Sequence, residues 1–443
     1  MAVRGAFWIF VYLAVAIAPL IFAWSGPEPG RGLLINLSVA LGFVGLAMMG
    51  LQFALVARFK TISAPFGMDV VLQYHRQIAY VALLFILAHP ILLFIENVQF
   101  LALLDVFTSP LRAKMAVTST VALLLLVTLS VWRKKLRISY ETWQLTHGVL
   151  GVVIIATALA HVFLVGYYVN EPWEKALWIA MSAAFVFLLL WVRVIRPLQR
   201  YRSAWRVEEV ISERGETSTI VLEQQNGDGF AFEPGQFAWI MAGKSPFAIT
   251  QHPFSISSSA ERTDRVTLSV KAAGDFTSSI AALKPGATVY LDGPHGAFTI
   301  DRHEGPGFVF IGAGVGVTPL MSMLRTLADR EDVRPCYLFL GNRNKESITF
   351  REEIEALRCR LNLEVIHVLS RPEEGWEGEK GHIDAAVLSR GLTGEEHRRL
   401  PERHRRLIYF ICGPDEMMDA TEGALAHLGV PAERVHSERF GMV

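Results

Sequence analysis

The sequence predicts a multi-domain chain: a six-helix transmembrane bundle, then an antiparallel β-barrel domain, then an α/β nucleotide-binding domain. Three observations carry this. Long apolar runs dominate residues 1–200; residues 203–300 alternate in period two between turn residues; and from Gly307 strands and helices alternate, beginning with a glycine-rich turn. The expected boundaries are 1–200, 201–302 and 303–443, and a chain of 443 residues has room for three domains. The formal net charge is zero, which gives no sign of a nucleic-acid partner.

Six spans are expected near 6–24, 33–57, 74–96, 115–132, 143–168 and 174–194, each long enough to cross a bilayer. The first resembles a signal peptide in having Arg4 before an apolar run. Its length, and the lack of a small-residue cleavage site before Trp24, favour a retained helix. The basic residues Arg4, Arg58, Lys60, Arg76, Arg133, Lys134, Lys135, Arg137, Arg193, Arg196 and Arg200 all fall on one side if the spans alternate. The opposite loops hold only Arg31, Arg112, Lys114 and Lys175. The positive-inside rule then places both termini and the second half of the chain in the cytoplasm, at the plasma membrane. The segment 98–107 is expected along the outer interface as a cap. Cys336, Cys359 and Cys412 all lie in the cytoplasmic half, so no disulfide is expected, and their spacing suits no zinc site.

Only four histidines occur in the first 200 residues: His75 and His89 in the third span, His147 and His161 in the fifth. Each pair is 14 residues apart. On a helix 14 residues end about 40° short of four whole turns and rise about 21 Å, so each pair shares a face and reaches across most of the hydrocarbon core. Both spans run from inside to outside, which matches His75 with His147 and His89 with His161 in depth. A lone membrane histidine often does no more than hydrogen-bond to a neighbouring helix. Four at one spacing and matched depth point instead to two stacked haems, and so to electron transfer across the membrane. Arg76 is either a partner for an inner haem propionate or simply a basic loop residue. Pro90, directly after His89, should bend its helix locally.

On these residues the first half resembles the ferric-reductase-type transmembrane domain of NADPH oxidases and ferric reductases. The resemblance implies six helices, with the third and fifth each supplying two haem ligands. Here that means His75 with His147 for the inner haem and His89 with His161 for the outer, both haems of b type. Animal oxidases of the family carry a second histidine one turn beyond the outer ligand of the third helix. Leu93 stands at that position here.

The runs WRVEEVI, STIVLEQ, QFAWIMA, RVTLSVKAA and TVYLDG, with turn residues between them, predict the small antiparallel barrel. Within it, His252-Pro253-Phe254-Ser255-Ile256-Ser257 sets an aromatic beside a hydroxyl. That pairing suits a flavin: Phe254 covers the ring, Ser255 hydrogen-bonds near its reactive nitrogen, and His252 meets the pyrophosphate. A buried strand with a proline turn explains the string about as well. Gly274, Asp275, Phe276 and Thr277 open a helix whose free amides suit a diphosphate. LKPG at 283–286 and DGPHGAF at 292–298 follow.

This order resembles the FAD domain of the ferredoxin–NADP reductase family in its oxidase-like variant, where histidine stands in place of the arginine of many soluble members. The resemblance makes the barrel the FAD domain and adds Lys271 to the cofactor-binding set. In FVFIGAGVGVTPLMSMLRTL, Gly312, Gly314 and Gly316 permit close backbone approach, and Thr318 and Pro319 open a helix, a ready anion site. By resemblance, YLFLGNRN ends a strand near the adenosine ribose, where Arg343 either reads a 2′-phosphate or caps the strand. LIYFICGP places Cys412, Gly413 and Pro414 near the nicotinamide, although Cys412 is also compatible with a core role. SERFGMV places Phe440 against the flavin, followed by Gly441, Met442 and Val443. Ser255, Cys412 and Phe440 are the expected catalytic positions, and the cofactors are FAD, two haems and NADPH or NADH.

The expected activity carries electrons from NAD(P)H through FAD and two haems to an acceptor outside. That acceptor is oxygen, giving superoxide, or alternatively ferric iron or a periplasmic protein. A membrane sensor or proton conductor without turnover is a third class, opposed by the intact flavin and nicotinamide elements. No EF-hand loop or SH3 module is legible, so no obligatory protein partner is expected.

Overall fold

The computed structural model describes residues 2–25, 31–63, 65–224, 229–243, 245–248 and 251–440. It divides into two compact units, residues 1–197 and 198–443.

In the first unit, six helices are long and apolar enough to cross a membrane among the described residues. They are α1 (Ala2–Trp24), α2 (Leu33–Val56), α3 (Met68–Glu96), α4 (Leu111–Val131), α5 (Tyr140–Val165) and α6 (Pro172–Leu190). In α5 and α6 the ends depart from the apolar runs because capping, not hydropathy, sets them. α5 begins where Ser139 accepts from Thr142 N at 3.2 Å, and stops at Gly166 in the left-handed region at φ 68°. α6 starts at Pro172, with Glu174 accepting from Asn170 N and Glu171 N at 2.8 and 3.0 Å. It leaves through a π turn, Trp191–Ile195. Pro90 lies inside α3, which continues to Glu96. Residues Val98–Leu104 form a 3₁₀ turn with no buried side chain. Phe43, Leu46, Met49, Leu123, Ile154, Trp178 and Phe185 meet in the core of this unit.

The second unit holds two sheets. The first contains β1 (Trp205–Ser212), β2 (Thr217–Gln224), β3 (Phe237–Ala242), β4 (His252–Ser255), β5 (Arg265–Lys271) and β6 (Thr288–His295), with the short helix α7 (Asp275–Ile280) between the last two. All pairings are antiparallel, in the order β4-β3-β6-β1-β2-β5. A bridge from Ile256 to Leu268 brings the chain after β4 back to β5, closing the sheet. Alternate residues fill its interior: Ile220 and Leu222, Ala238 and Ile240, Val266 and Leu268 are all fully buried.

The second sheet is parallel, in the order β10-β9-β8-β7-β11-β12. It is built from β7 (Phe308–Ala313), α8 (Val317–Asp329), β8 (Cys336–Asn342), α9 (Arg351–Leu357), β9 (Leu363–Leu369), β10 (Glu379–Lys380), α10 (Ala385–Thr393), β11 (Ile408–Cys412), α11 (Asp415–His427) and β12 (Val435–Glu438). Helices cover both faces, so central strands are apolar throughout. In β7, Phe308 and Phe310 enter one core and Val309 and Ile311 the other. Each such side chain contributes about 1.5–3 kcal/mol by leaving water. The strand order reverses between β7 and β11, and in open α/β sheets the crevice beyond the strand ends at that point is where ligands lodge.

Candidate functional site

In the first unit the four histidines form two facing pairs. The ring centres of His75 and His147 are 6.3 Å apart, and those of His89 and His161 are 6.4 Å apart. Three of the rings are held through Nδ1 by the neighbouring helix. His89 Nδ1–H donates to Ser38 O at 3.0 Å, while Ser38 Oγ–H donates to His89 O at 2.7 Å. His161 Nδ1–H donates to Arg112 O at 2.8 Å. Ser130 Oγ–H is committed to Leu126 O at 2.7 Å, so its oxygen accepts His147 Nδ1–H at 3.2 Å. A carbonyl can only accept, so these contacts fix the proton on Nδ1 and leave the Nε2 lone pair free for a metal.

In the second unit a cavity of about 350 Å³ opens beside β4. Of the residues picked out in the sequence, His252, Pro253, Phe254, Ser255, Lys271, Thr277, Thr318 and Phe440 line it. Ile256 and Ser257 do not; both are fully buried, Ile256 in the barrel core and Ser257 in hydroxyl contact with Thr267 and Ser269. His252 stacks on Phe276 with ring centres 3.9 Å apart, and Phe254 lies nearly parallel to Phe276 at 6.2 Å. Thr277 Oγ1 accepts from Gly274 N at 2.9 Å and Ala273 N at 2.8 Å, which starts α7. The side chain of Asp275, and Gly441, Met442 and Val443, lie outside the described residues.

Two hydroxyls on this cavity, Ser255 Oγ and Thr318 Oγ1, are buried without a hydrogen-bond partner among the described residues. An unpaired buried hydroxyl costs roughly 1–3 kcal/mol, so the wall is arranged for a polar guest with a flat apolar body. A flavin answers that description.

Gly312, Gly314 and Gly316 follow β7, and Cys412, Gly413 and Pro414 end β11, on the two sides of the strand-order reversal. A Cβ on Gly316 would stand 2.2 Å from Cys412 O, so only glycine permits this approach. Gly314 faces open space, with φ at 54°. Pro319 lies in the first turn of α8, buried in that helix's packed face. Arg343 lies past the end of β8, exposed, and does not line the cavity.

Cys412 does not line the cavity either. Strand alternation puts it in the same core as Ile408 and Phe410, fully buried. Burial, and then the Glu438 carboxylate, raise its thiol well above the ordinary range. Glu438 pairs with Cys412 in register on β12 and does line the cavity. Sequence reasoning missed it, along with Phe237, Ser269, Ala273 and Val315. Its one available signal was its place two residues before Phe440.

A bundle of apolar helices joined to an antiparallel barrel and a parallel nucleotide sheet, with a shared cavity in the second unit, defines a membrane flavoprotein oxidoreductase. Three family models match the chain in order. They are a ferric reductase like transmembrane component over residues 41–158, an FAD-binding domain over 205–298 and an oxidoreductase NAD-binding domain over 310–423. The chain belongs to the ferric reductase family of oxidoreductases, with the NADPH oxidase/ferric reductase architecture.

Among curated proteins it is similar to ferredoxin–NADP reductase B of Sorangium cellulosum, 34% identical over 50% of this chain and 90% of that protein. It is also similar to the stachydrine N-demethylase reductase subunit of Rhizobium meliloti, 29% identical over 50% of this chain and 62% of that one. Among solved structures, the cytochrome b5 reductase domain of Ulva prolifera nitrate reductase superposes with a TM-score of 0.46 at 22% identity, over 53% of this chain and 97% of that one.

Proposed function

We propose that the chain carries electrons from NADPH or NADH, through FAD and two b-type haems, to an acceptor on the outer face, with oxygen reduced to superoxide. In this reading residues 1–200 form the haem domain, 201–302 the FAD domain and 303–443 the nucleotide domain. The basic loops face the cytoplasm at the plasma membrane, as the positive-inside rule requires.

The observation that carries the reading is the spacing of the imidazoles. Two imidazoles sharing one metal, with metal–nitrogen bonds of about 2.0–2.1 Å and about 1.2 Å more to each ring centre, have centres about 6.4 Å apart. Both pairs meet that figure, at 6.3 and 6.4 Å. His75 with His147 would hold the inner haem and His89 with His161 the outer. FAD bound there would supply hydride acceptance and one-electron release, and the haems would supply one-electron relay. The residues hold these groups in place. Ser38, Arg112 and Ser130 orient three imidazoles. Phe254 and Phe440 present apolar faces on the flavin cavity, and Ser255 and Thr318 offer it hydroxyls. Gly314, which faces open space after β7, would leave room for a dinucleotide, and Arg343 would meet its ribose end.

Leu93, where animal oxidases carry a histidine, favours a second reading in which the acceptor is ferric iron or a periplasmic protein. Purified protein tests both readings. A Soret band, haem reduction by NADPH without oxygen, and dismutase-suppressible cytochrome c reduction in air support the first. Dismutase-insensitive activity with anaerobic ferric reduction supports the second. No Soret band, or one retained in full after all four histidines are changed to leucine, overturns both.

A further inference from the structure

Three of the four imidazoles have an Nδ1 acceptor on a neighbouring helix, and His75 is the exception. Its Nδ1 is buried without a partner among the described residues. On α2, Gln52 is 7% exposed, and neither its side-chain oxygen nor its nitrogen has a partner there. An orphaned amide inside a membrane bundle is costly, because lipid offers it nothing.

The register of α2 on α3 relates the two orphans. The helices run antiparallel. Ser38 bonds to His89, and seven residues on, Gly45 packs against the turn from Ala82 to Ile86: a Cβ there would lie 2.8 Å from Ile86 Cγ1, 3.3 Å from Phe85 Cβ and 3.4 Å from Ala82 O. Seven residues along α2 thus correspond to a retreat of three to seven on α3, and one more heptad brings Gln52 to the turn that begins at His75. A heptad drifts only about 20° around a helix, so the third pair stays on the contacting faces, about 21 Å from the first.

We propose that the Gln52 side-chain oxygen accepts the Nδ1–H of His75, positioning the inner ligand as Ser38 positions His89. This rests on the haem assignment above. With it, α2 supplies both acceptors for the α3 histidines, as α4 does for those of α5. Gln52 is a positioning residue: by taking the Nδ1 proton into a hydrogen bond it makes the imidazole a stronger base, which favours ferric over ferrous iron.

The test is a redox titration of full-length, haem-loaded protein followed by α-band absorbance. His75→Leu identifies the inner midpoint. Gln52→Met, which keeps the volume but removes the acceptor, is expected to raise that midpoint by about tenfold in the ferrous-to-ferric ratio, about 59 mV for one electron. The outer midpoint should stay in place. Gln52→Leu is expected to do the same. Ser130→Ala, which removes the acceptor of His147 on the same haem, should move the same midpoint in the same direction. An inner midpoint unmoved in both Gln52 variants, with haems retained, overturns this assignment alone, as does equal movement of both haems. A wild-type protein without haem overturns the functional reading as well.

Discussion

Gly316→Ala should disable the nucleotide side of the enzyme while leaving the chain folded. The added methyl would sit 2.2 Å from Cys412 O, 2.6 Å from Cys412 C and 2.8 Å from Gly413 Cα. All three are backbone atoms at the end of a central strand, so no side chain can swing aside. An ordinary contact begins near 3.4 Å, so the turn after β7 and the end of β11 must part by 1.2 Å, the difference between 3.4 and 2.2 Å. Overpacking of this kind costs about 1–3 kcal/mol. The larger effect is geometric, because a displacement of about 1 Å at a transfer site can cost on the order of a hundredfold in rate. Stopped-flow reduction of the bound flavin by NADPH reads this directly. Gly423→Ala, on α11 with nothing within 4 Å of its new methyl, is the control and should behave as wild type. Flavin reduction in Gly316→Ala at the wild-type rate would show that the reversal point between β7 and β11 does not seat the dinucleotide.

Two further outcomes are expected. Of the three cysteines, Cys359 alone is exposed, while burial pushes the Cys336 thiol up to about 12 and raises that of Cys412 well above its ordinary range. A maleimide near neutral pH should therefore label one thiol in the native protein and three after denaturation, and native labelling of Cys412 would refute its placement in the core. His436 stacks on His303 with ring centres 3.6 Å apart, and burial, with the neighbouring imidazole adding to it, holds its pKa down to about 4. The unfolded chain binds that proton near the ordinary value of 6.5, so this group removes stability as pH falls from about 6.5 towards 4. Thermal unfolding of the reductase half should weaken over that window, and less so in His436→Phe; identical profiles for the two proteins would refute the cause.

Much of the architecture was legible because it is written in local periodicity. Apolar runs of bilayer length marked the six helices, and among the ends that moved, those of α5 and α6 follow caps at Ser139, Gly166 and Pro172 that hydropathy does not register. Strand alternation and the glycine-rich turn located the antiparallel and parallel sheets. The residues now gathered around the flavin-sized cavity come largely from one string, 252–255, together with Lys271, Thr277, Thr318 and Phe440. Glu438, Phe237 and Ser269 escaped notice because their role comes from strand register across β3, β5, β11 and β12, which no window of sequence contains.

The 14-residue interval between histidines is a property of one helix, so the chain itself announces two histidines per span and their shared face. Which ring meets which, at 6.3 and 6.4 Å, and which neighbour takes each Nδ1 proton depend on how separate helices pack. The same division governs Cys412. Its motif is visible in the sequence, but alternation along a strand covered on both faces turns the thiol into the core. Spacing along a chain is covalent and can be counted; contact between elements is set by packing and appears only once the chain has folded.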